Sequence, residues 1–168
     1  MAIHDIEEDR VRKTLTGVLL VAALTLQGAA LAKSSVQSYL IVGVSDGDTL
    51  TVFGDRRTIK IRLANIDAPE KRQAFGNVSK LSLSAICYGR AATLDVQSVD
   101  RYGRSVATVR CNGVDASRAQ VERGMAWVYP KYNVDQSLPA VEMSARSAQR
   151  GLWMDAMPVA PWEFRRRR

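Results

Sequence analysis

Histidine is almost missing from this sequence. Its 168 residues contain a single one, His4, and that residue lies in a leader predicted to be removed. The remaining chain then has no imidazole for a Ser-His or Cys-His nucleophile pair, a histidine general base or a His-ligated zinc. Cysteine is nearly as scarce: Cys87 and Cys111 are the only two, and they form no C-x-x-C. That argues against thiolate metal or dithiol redox chemistry. There is no internal repeat and no long linker. Any chemistry must rest on carboxylates, arginines, tyrosines and a hard metal ion.

The composition is that of an ordinary globular protein, with 46% hydrophobic and 24% charged residues. The length suits one domain plus a short processed segment. Lys and Arg number 24 against 17 Asp and Glu, a net charge of +7. Such a balance favours polyanionic partners: nucleic acid, anionic membrane surface or acidic glycans. Residues 14–32 carry no charge, Arg10, Arg12 and Lys13 precede them, and Ala30-Leu31-Ala32 ends them with an A-x-A pattern. This predicts a signal peptide over residues 1–32, cleaved after Ala32, and a secreted or periplasmic product with no stable membrane association. An uncleaved membrane anchor is the alternative. The acidic leader residues Asp5, Glu7, Glu8 and Asp9 are unusual for a signal and suggest initiation at Val11. With three basic and four acidic residues in the leader, residues 33–168 carry +8. In an oxidising compartment the even cysteine pair reads as a disulfide, the alternative being two buried free thiols.

Five strands are predicted, over residues 38–44, 49–53, 58–64, 92–96 and 105–110, with Gly54-Asp55 as a hairpin turn. In the third, Ile59, Ile61 and Leu63 share one face, and Lys60 and Arg62 the other. Helices are predicted over residues 78–88, 117–123 and 138–150. The first buries Val78, Leu81, Ala85 and Ile86 and ends at Gly89, and the last has Ser137 as N-cap and Pro139 in its first turn. Five short strands with an inserted helix predict a mainly β, α+β domain: a five-stranded Greek-key barrel of the oligonucleotide-binding (OB-fold) type with about three helices, over residues 33–157. Residues 158–168 read as a basic tail, ordered in part up to Phe164 and solvated from Arg165 on.

Two constellations carry chemistry. The first is Asp46-Gly47-Asp48-Thr49, then Arg62, then Asp67-Ala68-Pro69-Glu70. Asp48 shares the apolar face with Leu50 and Val52, where a carboxylate is costly unless a cation or donors satisfy it. Asp67 leaves the adjacent strand, and Pro69 holds Ala68 extended, which turns the Ala68 carbonyl toward the same point. Two carboxylates, a carbonyl and water are the hard oxygen set that Ca²⁺ prefers. Glu70 stands where a carboxylate can deprotonate water, and Arg62 where it can bind a phosphate. The second is Asp100-Arg101-Tyr102-Gly103-Arg104, a tight turn projecting Arg104 as a second guanidinium for a pentacoordinate phosphorane.

The run Asp46-Gly47-Asp48-Thr49-Leu50-Thr51-Val52, nine residues, then Arg62-Leu63-Ala64-Asn65-Ile66-Asp67-Ala68-Pro69-Glu70 resembles the first signature of the staphylococcal nuclease family. Asp100-Arg101-Tyr102-Gly103-Arg104-Ser105-Val106-Ala107-Thr108-Val109 resembles the second. The similarity spans about residues 38–153. It implies a Ca²⁺-dependent phosphodiesterase on an OB barrel, cutting DNA and RNA and leaving 3′-phosphates. Carried over, Asp48, Asp67 and the Ala68 carbonyl are expected calcium ligands, with Asp46 reaching the ion through water. Glu70 is the expected general base, and Arg62 and Arg104 the phosphate-binding arginines. Tyr102 and Tyr129 are expected beside the nucleotide, with core packing the alternative for Trp127-Val128-Tyr129. The family's type enzyme has Thr at the Ala68 position, which matters little for a backbone ligand. Exported members resemble this chain in a cysteine pair placed like Cys87 and Cys111, which supports the disulfide. A monomer is expected. The rival reading is a non-catalytic nucleic-acid-binding barrel, a class that typically loses the metal carboxylates and one or both arginines, all present here.

Overall fold

The computed structural model describes residues 37–167; the leader, with its predicted cleavage site and alternative start, lies outside them. The strands are β1 (Tyr39–Val44), β2 (Thr49–Gly54), β3 (Arg57–Leu63), β4 (Ile66–Asp67), β5 (Ala91–Val99), β6 (Ser105–Cys111), β7 (Val114–Asp115) and β8 (Trp127–Val128). The helices are α1 (Gly76–Cys87), α2 (Ala116–Glu122), α3 (Leu138–Ser147) and α4 (Pro161–Arg166), with a 3₁₀ turn at Gly151–Met154.

The main sheet runs β3-β2-β1-β5-β6-β7, and β3 also pairs in parallel with β6. That last pairing closes five strands, β1, β2, β3, β5 and β6, into the expected OB-type barrel. Inward residues of alternating phase fill it: Ile41, Leu50, Val52, Ile61, Leu63, Ala107 and Val109 are buried, and Leu83 and Ile86 of α1 belong to the same core. Closure matters for the site because it sets Arg62 opposite Val106 and Ile61 opposite Ser105. The two sequence constellations, far apart along the chain, thereby meet at one rim.

Several local expectations change. The β2–β3 hairpin turns on Asp55 and Arg56, both at positive φ, while Gly54 remains in β2 paired with Arg57. Helix α1 buries Ser79, Leu83, Ile86 and Cys87; Val78 and Leu81, predicted inward, are exposed, as is Ala85. A polar residue displaces the apolar ones because Ser79 has a specific place to go. Its Oγ donates to the Met125 carbonyl at 2.6 Å, and its side chain lies against Gly47. A Cβ at Gly47 would overlap the Ser79 hydroxyl and come 2.7 Å from Ala68 Cβ, so only glycine lets the loop before Asp48 seat this closely. Buried Gln120 completes the support, its Nε2 donating to the Gly47 and Ser79 carbonyls at 2.7 and 3.0 Å. Helix α3 is not capped by the Ser137 side chain; Asp135 Oδ1 instead accepts from the Ser137 N–H and hydroxyl at 2.8 and 2.7 Å. The helix ends at Ser147, with Gln149 at φ 49° turning the chain.

Cys87 and Cys111 are disulfide-bonded, tying the end of α1 to the end of β6 with Cα atoms 5.2 Å apart. For a loop of this length the cross-link is expected to contribute about 2–4 kcal/mol. Cys87→Ser/Cys111→Ser should therefore lower the unfolding free energy extrapolated from urea denaturation by that amount, with the m-value raised as the unfolded chain expands. An unchanged unfolding free energy and m-value would show that the bond does not constrain the unfolded chain.

Candidate active site

The site grows from two nearly buried carboxylates, Asp48 at 6% exposure and Asp67 at 2%. Neither is tolerable there as an unpaired anion, and the surrounding chain is arranged to meet that demand. Arg62, on β3, spans them: Nη1 lies 3.1 Å from Asp48 Oδ2, and Nη2 lies 2.8 Å from Asp67 Oδ1. Asp48 Oδ2 also accepts the Ala68 N–H at 2.6 Å, and Oδ1 accepts the Thr49 hydroxyl at 3.1 Å. Ala68 thus meets Asp48 through its N–H. Burial pushes the Asp48 carboxyl up, Arg62 pulls it down, and the charges of Asp46 and Asp67 push it up again. It stands at about 7 against an ordinary 3.8. Asp46 accepts the Asp48 N–H at 3.2 Å, holding the turn and placing a further negative charge beside it.

The short β4 strand delivers Asp67. Asn65 makes the necessary bend at φ 69°, a conformation an Asn tolerates far better than a branched residue. Its carbonyl accepts from Tyr129 N–H at 2.9 Å and its Oδ1 from Val134 N–H at 3.0 Å. β4 then pairs Asp67 with Trp127 of β8.

Arg104 enters from the turn before β6. Asp100 Oδ1 accepts the Tyr102 and Arg104 N–H groups at 2.9 and 3.0 Å, and Oδ2 receives Arg104 Nε and Nη2, both at 2.7 Å. Partial desolvation raises the Asp100 carboxyl, but these bonds and the guanidinium charge outweigh it and hold it below its ordinary 3.8. Arg104 Nη1 donates to Thr49 Oγ1 at 3.3 Å, so one hydroxyl joins Arg104 to Asp48. Thr49 and Asp100 have roles that pattern reading did not assign. The signal was only their place inside the two motifs. Tyr102 stands exposed at the rim, its ring 5.5 Å from the Arg104 guanidinium. Beside it a shallow cleft of about 440 Å³ is lined by Arg57, Lys60, Tyr102 and Arg104, a cationic surface suited to a phosphate chain.

Tyr129 has no contact with the carboxylates among those the structure describes. Its ring stacks on Trp162 at 5.2 Å, with 1° between planes, and meets Tyr132 edge-on at 4.9 Å. Trp162 opens helix α4, in the segment expected to be a tail. Three residues further on, Arg165, expected to be solvated, closes on the site. Its Nη2 lies 2.7 Å from Asp67 Oδ2 and its Nη1 2.8 Å from Glu70 Oε1. Desolvation lowers this guanidinium, yet its bonds to Asp67 and Glu70 prevail and hold it above its usual range. Sequence reading missed Arg165 because a four-arginine terminus looks like solvated charge.

Asp46, Asp48, Asp67, Glu70, Arg62 and Arg104 therefore lie in one connected patch. Among the described residues no three acidic, histidine or cysteine side chains are grouped to hold a metal by themselves. Asp48 and Asp67 nevertheless fit a hard cation. They are oxygen donors bridged by one guanidinium and strained by like charge, and such a cation fills its shell with carbonyl and water oxygens.

A closed OB-type barrel with carboxylates and arginines gathered at its rim defines a phosphodiester-processing class. Comparison with known proteins narrows this. The family model described as staphylococcal nuclease homologue matches residues 60–155. An uncharacterized endonuclease of Escherichia coli O157:H7 is 43% identical over 129 residues, 76% of this chain and 84% of the relative. An uncharacterized endonuclease of Haemophilus influenzae is 38% identical over 156 residues, 92% and 86% of the two chains. A micrococcal nuclease of Shigella flexneri is 35% identical over 137 residues, 75% and 79%. The chain belongs to the staphylococcal nuclease family, and its enzymatic class is that of phosphodiester hydrolases.

Asp100 orients Arg104 and should be needed for its work. Asp100→Ala is expected to lower kcat by about 10-fold or more through misplacement of the guanidinium, with the thermal midpoint shifted by only a few degrees. Because the Asp100 carboxyl is depressed, its hold on the turn is complete above its ordinary 3.8 and is lost only as pH falls through the lowered value. Wild-type kcat in the Asp100→Ala enzyme would remove this role.

Proposed function

We propose that this enzyme is an exported, Ca²⁺-dependent, sugar-nonspecific nuclease that hydrolyses DNA and RNA and leaves 3′-phosphates. The observation that supports it most is the joining of Asp48, Asp67 and Arg62 into one network that Thr49 extends to Arg104. Arg62 and Arg104 bind the scissile phosphate and oppose the charge that grows on it as phosphorus becomes five-coordinate. Glu70 accepts a proton from the attacking water. The water oxygen bonds to phosphorus as the bond to the 5′-oxygen breaks, and the leaving oxygen takes a proton from solvent. Asp48 and Asp67 would hold Ca²⁺, with Asp46 and the Ala68 carbonyl as further oxygen donors. When bound, the ion would neutralise phosphate charge. Tyr102, with Lys60 and Arg57 in the adjoining cleft, lines a path for the neighbouring nucleotide; Tyr129 has the weaker claim, being engaged with Trp162.

Export follows from the leader pattern alone, with cleavage after Ala32 giving a secreted or periplasmic monomer. Among the described residues no helix is long and apolar enough to cross a membrane.

Digestion of single-stranded DNA by the purified protein, with Ca²⁺ or with a chelator, tests the reading. Cutting should require the ion, and Glu70→Gln should lower kcat by about 10²–10⁴-fold, the range for a lost general base. Full cutting in chelator would overturn the Ca²⁺ requirement, and an undiminished Glu70→Gln enzyme would overturn the role of Glu70.

A further inference from the structure

The tail helix is seated, and its seating is specific. Ala160 and Pro161 are buried, and Trp162 stacks on Tyr129 and meets Trp127 edge-on at 5.8 Å. Gln73 makes a separate link between the tail and the Glu70 loop. Its Oε1 accepts the Glu70 N–H at 3.1 Å, and its Nε2 donates to the Val159 carbonyl at 2.6 Å. Backbone and side chain of Glu70 are therefore both registered to the same C-terminal segment, the side chain through Arg165.

The pairing has a shape as well as a charge. Arg165 Nη1 serves Glu70 Oε1 at 2.8 Å and Asp67 Oδ1 at 3.3 Å, while Nη2 serves Asp67 Oδ2 at 2.7 Å. Among the described residues it is the only cation within ion-pair distance of Glu70. Two carboxylates this close repel, and a planar fork that spans both sets their separation in a way a point charge does not. With Oε1 engaged by Arg165, Oε2 is the oxygen left to accept a proton. The pair is also open to solvent, with side-chain exposures of 42% and 38%. Ion pairs of that kind add little to stability, and the hydrophobic anchors of the tail lie elsewhere, at Pro161 and Trp162.

We propose that Arg165 is a positioning residue of the nuclease site, supplied by the C-terminal helix to hold Glu70 against Asp67 in its working orientation. This rests on the reading of Glu70 as the proton acceptor. It makes the segment after the barrel part of the enzyme's machinery.

The test is a double-mutant cycle on the full protein, with kcat and KM on single-stranded DNA at saturating divalent cation, and thermal unfolding as the fold control. Arg165→Ala should lower kcat by about 10²-fold, the scale of a mis-set group, while KM and the thermal midpoint stay near wild type. In the Glu70→Gln background the same change should cost almost nothing further, because the group it positions is gone. Arg165→Lys, which keeps the charge and loses the fork, should fall between. In protein free of cation, the side-chain ¹H–¹⁵N signals of Arg165 should broaden on Glu70→Gln.

An Arg165→Ala enzyme with unchanged or increased kcat overturns the proposal, the increase showing Arg165 to be a competitor of the cation. An equal loss in both backgrounds overturns it too, as do Arg165 signals indifferent to Glu70→Gln. Should Arg165→Ala fail to fold, Arg165→Lys decides: a reduced kcat supports the proposal and a wild-type kcat overturns it. If Glu70→Gln is itself fully active, it is the assignment of Glu70 that fails.

Discussion

The burial of two carboxylates governs this structure. Asp48 and Asp67 sit almost wholly out of water within reach of one guanidinium. A buried ion pair of this sort gives little net stability, since desolvation consumes most of the attraction. Its presence in an otherwise well-packed barrel is a cost to the fold, explicable by what the charges do for a ligand. The elements around it act as a mount. The close contact at Gly47, the buried Gln120 amide and the Ser79 hydroxyl fix the loop before Asp48. The bend at Asn65 and the β4–β8 pairing fix Asp67.

Barrel closure converts this mount into a site. Parallel pairing of β3 with β6 places the turn carrying Arg104 beside the strand carrying Arg62. Thr49, the first residue of β2 and opposite Arg62, then accepts from Arg104 and donates to Asp48. A single hydroxyl links the phosphate-facing half to the carboxylate half. Register therefore carries functional information: a one-residue slip of β2 against β3 would move Thr49 out of its place opposite Arg62 and turn it away from Arg104.

Much of this was legible in the sequence. Strand alternation pointed to the barrel, and the two motifs hold the residues that the fold brings together, with Thr49 and Asp100 inside them but unassigned and Arg165 outside them. The failures share a cause. Val78 and Leu81 suggested the buried face of α1 because apolar periodicity assumes a core that wants only apolar atoms, and here the core wanted Ser79 at a close contact. Ser137 does stand at the N-cap of α3, but its side chain makes no cap bond, and its hydroxyl and N–H donate to Asp135. Arg165 looked like solvated charge because its partners lie 95 and 98 residues away along the chain. No local pattern encodes a contact of that range. The docking of α4 depends on Trp162 finding Tyr129 and Trp127, which is a tertiary event.

The three arginines differ in how they are held, and the difference sorts their work. Arg62 has both Nη atoms committed to Asp48, Asp67 and the Leu63 carbonyl, so its first task is to make the buried carboxylates tolerable. Arg104 is fixed through Nε and Nη2 by Asp100 and through Nη1 by Thr49. A guanidinium has more donors than those partners use, so Arg104 can meet a phosphate already oriented, with less side-chain entropy to lose than a free arginine. Arg165 is the most exposed of the three and the only one outside the barrel, yet it reaches Glu70, a carboxylate that neither of the others holds. Neutralising the buried acids and steadying the outer carboxylate are separate demands with different burial. A single arginine could not meet them together, because the geometry that buries one guanidinium between Asp48 and Asp67 withdraws it from Glu70.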